Sequence, residues 1–463
     1  MTHPTYHTMN ELNRRDFLKG STALMTLASF GLLGMDFKTK VGPLKVALIG
    51  AGWYGKSDLF RLIQVADVEV VALCDVDKNM LTAAGDLVAK RQKSKQVPEL
   101  FEDYRDLLKK HSCDLVLIGS PDHWHALQAI EAMKTGAHVY LQKPISVDVI
   151  EGEALVAAAR KYKVKCQIGT QRKSTPHLIA AKKQIIDTGM LGKISHAEVC
   201  CYYHMRANGN PPEVAVPDFF NYDLWTGPAP LRPYDGLPHT RWWRTFMEYG
   251  NGITGDMCVH MLDTVRWMLG LGWPTQVSST GGIYVQKEGK SNISDTQTAI
   301  FEFPELQVVW QHRTWGNAPD PEYPWAFKIY GEKGMLAGST MQADYFPQES
   351  KAEKIHFDCV FEREAYPEDV TEDRIELNAA PATRLHLKNW LESIDKDTLP
   401  VADVLDGHIS TASCILANIS MELGGRPLRY DPSTRTVQND PEATAKLRRP
   451  YRGPWIHPEP DKV

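Results

Sequence analysis

The sequence predicts an α/β protein: a doubly wound parallel sheet first, then a second α/β domain with a large, mostly antiparallel open sheet. Up to residue 168, short apolar runs alternate with helix-like segments, as the strands and crossover helices of a parallel sheet do. A glycine-rich turn joins the first run to the first helical segment. From Gly169 the alternation gives way to successive strand-like stretches. The chain thus divides into a leader (1–40), the parallel domain (41–168), the second domain (169–430) and a C-terminal arm (431–463).

Composition narrows the partners. With 463 residues, 43% hydrophobic and 24% charged, the chain can bury a large core, which excludes a disordered scaffold. A net charge of −5, with both signs mixed along the chain, argues against a nucleic-acid partner. The eight cysteines form no Cys-x-x-Cys pair and sit mostly in apolar runs. They read as buried free thiols, and no metal site is expected.

In the leader, Asn13-Arg14-Arg15-Asp16-Phe17-Leu18-Lys19 precedes an apolar stretch, Ser21–Met35. The pattern resembles a twin-arginine export signal. The apolar stretch is shorter than the roughly 20 residues that cross a bilayer, so no transmembrane helix is expected. The expectation is export to the periplasm. The alternative is an N-terminal helix of a cytoplasmic protein.

In the parallel domain, Leu44–Ile49 is nearly continuous apolar sequence, as a strand covered on both faces should be. It runs into Gly50-Ala51-Gly52-Trp53-Tyr54-Gly55 and a helical segment to Ala66. The glycines permit a tight turn and close approach of backbone N–H groups to a pyrophosphate. The second strand, Val68–Cys74, ends at Asp75, whose carboxylate suits the ribose hydroxyls of a dinucleotide. Asp77 adds negative charge and no arginine immediately follows Asp75, so NAD is expected rather than NADP. The alternative for Asp75 is a turn residue at a strand end. Strands at 114–120, 138–141 and 165–169 follow, with helices to Thr135, ended by Gly136, and from Asp148 to Tyr162. Pro121, Asp122, His125, Gln142, Lys143 and Gln171 fall at or just beyond strand ends, where such sheets bind ligands.

Gly50–Gly55, Pro121–His125, Gln142-Lys143-Pro144 and Gly255–His260, in this order, make the chain resemble the Gfo/Idh/MocA oxidoreductases from Leu44 to Trp455. The family takes its name from glucose–fructose oxidoreductase, inositol dehydrogenase and a rhizopine-catabolism protein. The resemblance implies a Rossmann domain, an open-sheet C-terminal domain, and NAD(P)-dependent redox chemistry on a sugar or cyclitol carbon. It implies cofactor contacts from Gly50, Gly52, Trp53, Tyr54, Gly55, Asp75, Pro121, His125, Gln142 and Lys143. It implies catalysis by the lysine of a Glu-Lys-Pro motif and a later Asp-x-x-x-His pair, here Lys143, Asp256 and His260. Gln142 departs from the family's glutamate and removes a charge near the nicotinamide end. A homo-oligomer, dimer or tetramer, is implied as well.

The residues themselves fit these roles. Pro144 favours an extended Lys143, whose ammonium could stabilise an alkoxide on a sugar carbon; an ordinary surface lysine is the alternative. Asp256 and His260, four apart, would share a helix face away from the apolar stripe of Met257, Met261, Leu262, Val265 and Met268. A histidine suits a general base, and Asp256 could orient it or bind a hydroxyl. The plainer reading makes Asp256 an N-cap and His260 a core residue. His125 lines the nicotinamide pocket or caps its helix.

The second domain reads as a helix over 176–188 and strands at 194–203, 276–285, 296–303, 307–314 and 326–330. Amphipathic helices at 383–394 and 404–423 follow, and the arm packs across the body or a neighbouring subunit. The irregular stretch His204–Gly252 holds Trp225, His239, Arg241, Trp242, Trp243, Arg244 and Tyr249. Loops of that length are usually functional. Trp242, Trp243 and Arg244, with Gln171 and Arg172, are the expected platform for a sugar ring; packing of the loop onto the sheet is the alternative.

The leading expectation is NAD-dependent oxidation of a secondary hydroxyl, C3 first, on a sugar or glycoside. One alternative implied by the resemblance is a redox-neutral glycosidase that oxidises its sugar transiently, eliminates the substituent and reduces the carbon again. Export, remote from the nicotinamide pool, would favour such a recycled cofactor, or a glucose–fructose type of exchange. A non-catalytic sugar-binding protein is a further alternative.

Overall fold

The computed structural model describes residues 42–239, 241–372 and 376–463. The expected leader lies outside the described residues. Six strands form the first sheet: β1 (Leu44–Ile49), β2 (Val68–Cys74), β3 (Glu99–Phe101), β4 (Leu115–Ile118), β5 (His138–Leu141) and β6 (Cys166–Ile168). All neighbours are parallel, in the order β3-β2-β1-β4-β5-β6. The order reverses between β1 and β4, and the crevice outside that switch point is where dinucleotides bind. Helices α1 (Trp53–Val65), α2 (Lys78–Arg91), α3 (Tyr104–Lys110), α4 (His125–Lys134) and α5 (Val149–Lys161) flank the sheet. Sequence reading missed α2, α3 and β3. The last is a three-residue edge strand whose Leu100 is exposed, so no apolar run announces it.

The second sheet has eight strands: β7 (Ile194–Cys201), β8 (Gln276–Gly282), β9 (Thr296–Glu302), β10 (Gln307–Arg313), β11 (Trp325–Gly331), β12 (Gly334–Ser339), β13 (Gln342–Pro347) and β14 (Ile355–Asp358). Their order is β14-β13-β12-β11-β7-β10-β9-β8; β7 and β10 pair in parallel and all other neighbours antiparallel. Val199, Phe301, Trp310 and Phe327 on its inner face join one core with Met261, Leu262, Val265, Ile415 and Leu416. The last three strands escaped the sequence reading.

Helices α6 (Pro176–Ala181), α8 (Val259–Leu269) and α10 (Val404–Glu422) contribute to that core, and α7 (Tyr222–Thr226) and α9 (Ala380–Asp395) lie outside it. Helix α10 was expected to be amphipathic, yet residues 407–420 are all buried, because it is sandwiched between the two sheets' elements. Small residues (Gly407, Ser410, Ala412, Ser413, Ala417) let it approach closely on every side. A Cβ on Gly407 would lie 2.5 Å from Cγ1 of Ile168 and 3.0 Å from its Cβ. Gly407→Val therefore costs about 1–3 kcal/mol, read as a lower urea midpoint; an unchanged midpoint would contradict this packing.

The C-terminal segment packs across the body of the chain. Val149 and Ile150 donate backbone N–H groups to the Leu447 carbonyl at 3.2 and 3.3 Å. Trp455 packs edge-on against Trp124, with ring centroids 4.7 Å apart. Arg449 reaches the Gly250 carbonyl at 3.1 Å and Asn251 Oδ1 at 2.8 Å, tying down the segment ahead of Asp256. The cysteines are free thiols, most of them buried. Among the described residues, no helix is long and apolar enough to cross a membrane.

Candidate active site

The glycine loop sits at the switch point, and its glycines have separate reasons. Gly50 has φ +87°, and a Cβ there would come within 2.4 Å of the Ser120 nitrogen. A Cβ on Gly55 would lie 2.1 Å from the Gly50 carbonyl oxygen. Gly52 meets nothing closer than Met80 Sδ at 3.7 Å, which leaves room for phosphate at the uncapped N-terminus of α1. A cleft of about 880 Å³ opens there, lined by Trp53, Tyr54, Asp75 and Pro121 among others. Asp75 Oδ2 accepts from the Ala51 N–H at 2.8 Å and Oδ1 from the Asp77 N–H at 3.0 Å. Burial pushes the Asp75 carboxyl up to about 6 against those two hydrogen bonds. The cradle fits NAD.

Asp77 has a second part besides the expected one. Its Oδ1 caps α2, accepting from the Asn79 and Met80 N–H groups at 3.0 Å each, and its Oδ2 lies 2.9 Å from His239 Nε2. Asp77 still lines the cleft and its negative charge bears on the Asp75 carboxyl, so both aspartates stand against a 2′-phosphate. Asp75→Ala should weaken NAD binding by about 2 kcal/mol, or thirtyfold, in a titration of the stripped protein; an unchanged affinity would remove Asp75 from the cofactor site.

The stretch His204–Gly252 folds largely over this cleft. The Lys78 N–H donates to the Phe219 carbonyl at 2.9 Å and the Asn221 N–H to the Val76 carbonyl at 3.0 Å, so the loop grips the turn after β2. Phe220 stacks on His239 at 4.0 Å, and Phe220, Trp225 and His239 line the cleft. Phe220, Tyr222, Trp225, Trp243, Phe246 and Tyr249 form an aromatic core of their own. Here the packing alternative holds for Trp225 and Trp243, both nearly buried. Trp243 and Arg244 line the cleft. Trp242 is half-buried, with the Arg241 guanidinium 5.4 Å from its ring centre.

Lys143, just past β5, brings the two domains together. Its Nζ donates to Asp256 Oδ1 at 2.5 Å and to the Asp256 carbonyl at 2.9 Å. Arg244 Nε lies 3.5 Å from the same carboxylate. Burial alone would raise the Asp256 carboxyl, but Lys143 and Arg244 together hold it below the usual carboxylate range. Asp256 does not continue a regular α-helix to His260: Thr254–Cys258 form a π-turn ahead of α8. The wider turn spoils the expected side-by-side pairing, and the carboxylate holds Lys143 and Arg244 instead of the imidazole. His260 packs edge-on against Trp325, centroids 5.4 Å apart, and its Nδ1 has no hydrogen-bond partner. Burial, then the Lys143 and Arg172 charges, hold it well below the ordinary histidine value, so it is neutral at pH 7.

Two cofactor assignments change. His125 Nδ1 and Nε2 lie 2.7 and 2.8 Å from the Pro144 and Ser120 carbonyls, which leaves neither ring nitrogen for the nicotinamide. Gln142 turns away from the cleft and donates to Asp58 Oδ2 at 2.6 Å. A carboxyl therefore stands next to residue 142, on a buried Asp58 that burial pushes up to about 7. Gln171 donates to the Tyr54 hydroxyl at 2.7 Å, and its Oε1 is unpartnered.

Sequence reasoning missed Asp58, Trp325 and Tyr203. Asp58 hides in an amphipathic helix, but its spacing from the glycine loop was available as a signal. Tyr203 lies two residues beyond β7 and Trp325 opens β11, and the pairing of those strands brings them together, 6.1 Å apart.

A glycine-cradled dinucleotide cleft leading to a lysine–aspartate pair and a neutral histidine defines a nicotinamide-dependent oxidoreductase. Residues 44–170 match the family described as "Oxidoreductase family, NAD-binding Rossmann fold", and residues 179–337 match the "GFO/IDH/MocA C-terminal domain". The chain belongs to the Gfo/Idh/MocA family, and NAD is its cofactor. It is 26% identical over 220 residues to a glycosyl hydrolase family 109 protein of Shewanella baltica, covering 43% of this chain. The match spans about half, 48%, of that relative's length. Among solved structures, an oxidoreductase from Agrobacterium radiobacter in complex with NAD+, L-tartaric acid and magnesium superposes with TM-score 0.62 at 16% identity, covering 83% of this chain and 98% of that one. A levoglucosan dehydrogenase with NADH and levoglucosan superposes with TM-score 0.61 at 16% identity, covering 82% and 98%.

Proposed function

We propose that the protein oxidises a secondary hydroxyl of a sugar or glycoside. The observation that carries this reading is the 2.5 Å contact of Lys143 with Asp256 beside a buried, neutral His260 at the carboxyl ends of the Rossmann strands. NAD, when bound, supplies the hydride acceptor. His260 takes the hydroxyl proton, and its neutral imidazole is the form able to do so. Lys143 donates a hydrogen bond to the substrate oxygen and stabilises the negative charge that develops there. Asp256 keeps the Lys143 ammonium aimed and desolvated but paired. Nicotinamide absorbance, followed while a panel of sugars and glycosides is added with NAD, tests this; no spectral change with any of them, in net or single-turnover mode, would reject it.

A second reading has its own support. Phe220, Trp225 and His239 roof the cleft, and a relative carries a glycosyl hydrolase name. A cofactor retained under that roof suits redox-neutral glycoside cleavage, in which oxidation of the sugar acidifies a neighbouring C–H before elimination. Export by the leader would suit the same economy of cofactor.

A further inference from the structure

Beside the reacting centre stands a cation that the mechanism does not use. Arg172 lies in the turn that follows β6 and is 3% exposed. Its Nε and Nη1 have no hydrogen-bond partner, and among the described residues no carboxylate lies within ion-pairing distance of it. Other buried arginines of the chain are engaged: Arg61 with Asp369 at 2.9 Å, Arg384 with Asp369 at 2.8 Å, Arg266 with Ser410 at 2.6 Å. A desolvated guanidinium is costly unless an anion pairs with it, so an unmatched one marks a place where an anion belongs.

Its position says whose anion. The Arg172 guanidinium sits 5.2 Å from the centre of the Trp325 ring, and the His260 ring sits 5.4 Å from the same ring. Tyr203, half exposed at the rim, packs against that indole from another side. Arg172 is also one of the two charges that bear on His260. Arg172 and His260 thus flank one indole, and a group bound at His260 lies within reach of the Arg172 charge. That group is not the Asp256 carboxylate, which Lys143 and Arg244 already hold.

We propose that Arg172 anchors an anionic subsite and that the substrate is an acidic sugar, a uronic acid or its glycoside, whose carboxylate pairs with Arg172 while a ring hydroxyl reaches His260 and Lys143. This rests on the carbohydrate reading above. A planar, monoanionic carboxylate matches one guanidinium in charge and in its pair of N–H donors. A sugar phosphate would bring more charge than this single arginine balances.

Calorimetric titration of the NAD-loaded protein tests the pairing. The probes are the methyl glycosides of glucuronate, galacturonate and mannuronate, each beside its neutral parent sugar and the parent's phosphate ester. At least one uronide should bind on the order of a hundredfold more tightly than its neutral parent. Arg172→Gln should abolish that preference while NAD affinity stays as it was, and Arg172→Lys should keep part of it. The inference is overturned if no uronide outbinds its neutral parent, if the phosphate ester is preferred, or if Arg172→Gln weakens NAD as much as it weakens the uronide. Reduction of bound NAD by neutral sugars alone would sink only the acidic-sugar inference. Neither binding nor reduction by any member of the series would sink the carbohydrate reading with it.

Discussion

Lys143→Met should lower turnover by roughly a hundred- to a thousandfold and leave sugar affinity within a few-fold. The side chains are similar in length, so the change removes the charge and keeps most of the bulk. The loss falls on the transition state, because the negative charge that Lys143 meets exists mainly there. Asp256, freed of its partner at 2.5 Å, would retain Arg244 at 3.5 Å, so the fold should survive. Single-turnover nicotinamide reduction gives the chemical step and equilibrium titration gives the binding. Turnover unchanged in the variant would exclude Lys143 from the chemistry.

His260→Ala should cost about a hundred- to ten-thousandfold in the same step. Its pH dependence has a definite sign. The neutral imidazole is the active form, and protonation disables it. Burial and the facing cations Lys143 and Arg172 depress its value well below 6.5, while the Asp256 carboxylate is held by Lys143 and Arg244. The acid limb of kcat should thus lie well below pH 6.5 rather than at it. In His260→Ala that limb should vanish. A wild-type limb centred near 6.5 would mean that the base is a solvent-exposed histidine elsewhere.

Much of this site was legible because its parts sit at strand ends that the apolar runs reveal. Gly50–Gly55, Asp75 and Lys143 each follow a run whose end could be placed within a residue or two. Distances along one element were less safe. Asp256 and His260 are four apart, yet a π-turn diverts the carboxylate to Lys143, and no spacing rule warns of an i→i+5 turn. Contacts made by tertiary pairing were invisible. Arg172, in the turn after β6, and Trp325, at the start of β11, meet although their strands belong to different sheets, and the carboxyl of Asp58 faces Gln142 from another element. Aromatic residues misled in the same way: Trp225 and Trp243 look like a sugar platform in sequence, but a cluster of large rings buries itself when it can. Helix α10 lost its expected polar face because its small side chains invite neighbours on all sides.

The proposed work of the Lys143–Asp256–His260 site is redox chemistry on a sugar carbon. Its most direct test is incubation of the purified protein with NAD and glycosides, acidic ones included, in heavy water, followed by mass spectrometry of the products. The expected result is either a product lighter by two hydrogens together with NADH, or a released sugar carrying solvent deuterium without NADH. The first outcome makes the protein a net dehydrogenase, and the second makes oxidation a step in glycoside cleavage. Released sugar with no deuterium on carbon, or no product at all across the panel, would contradict the claim.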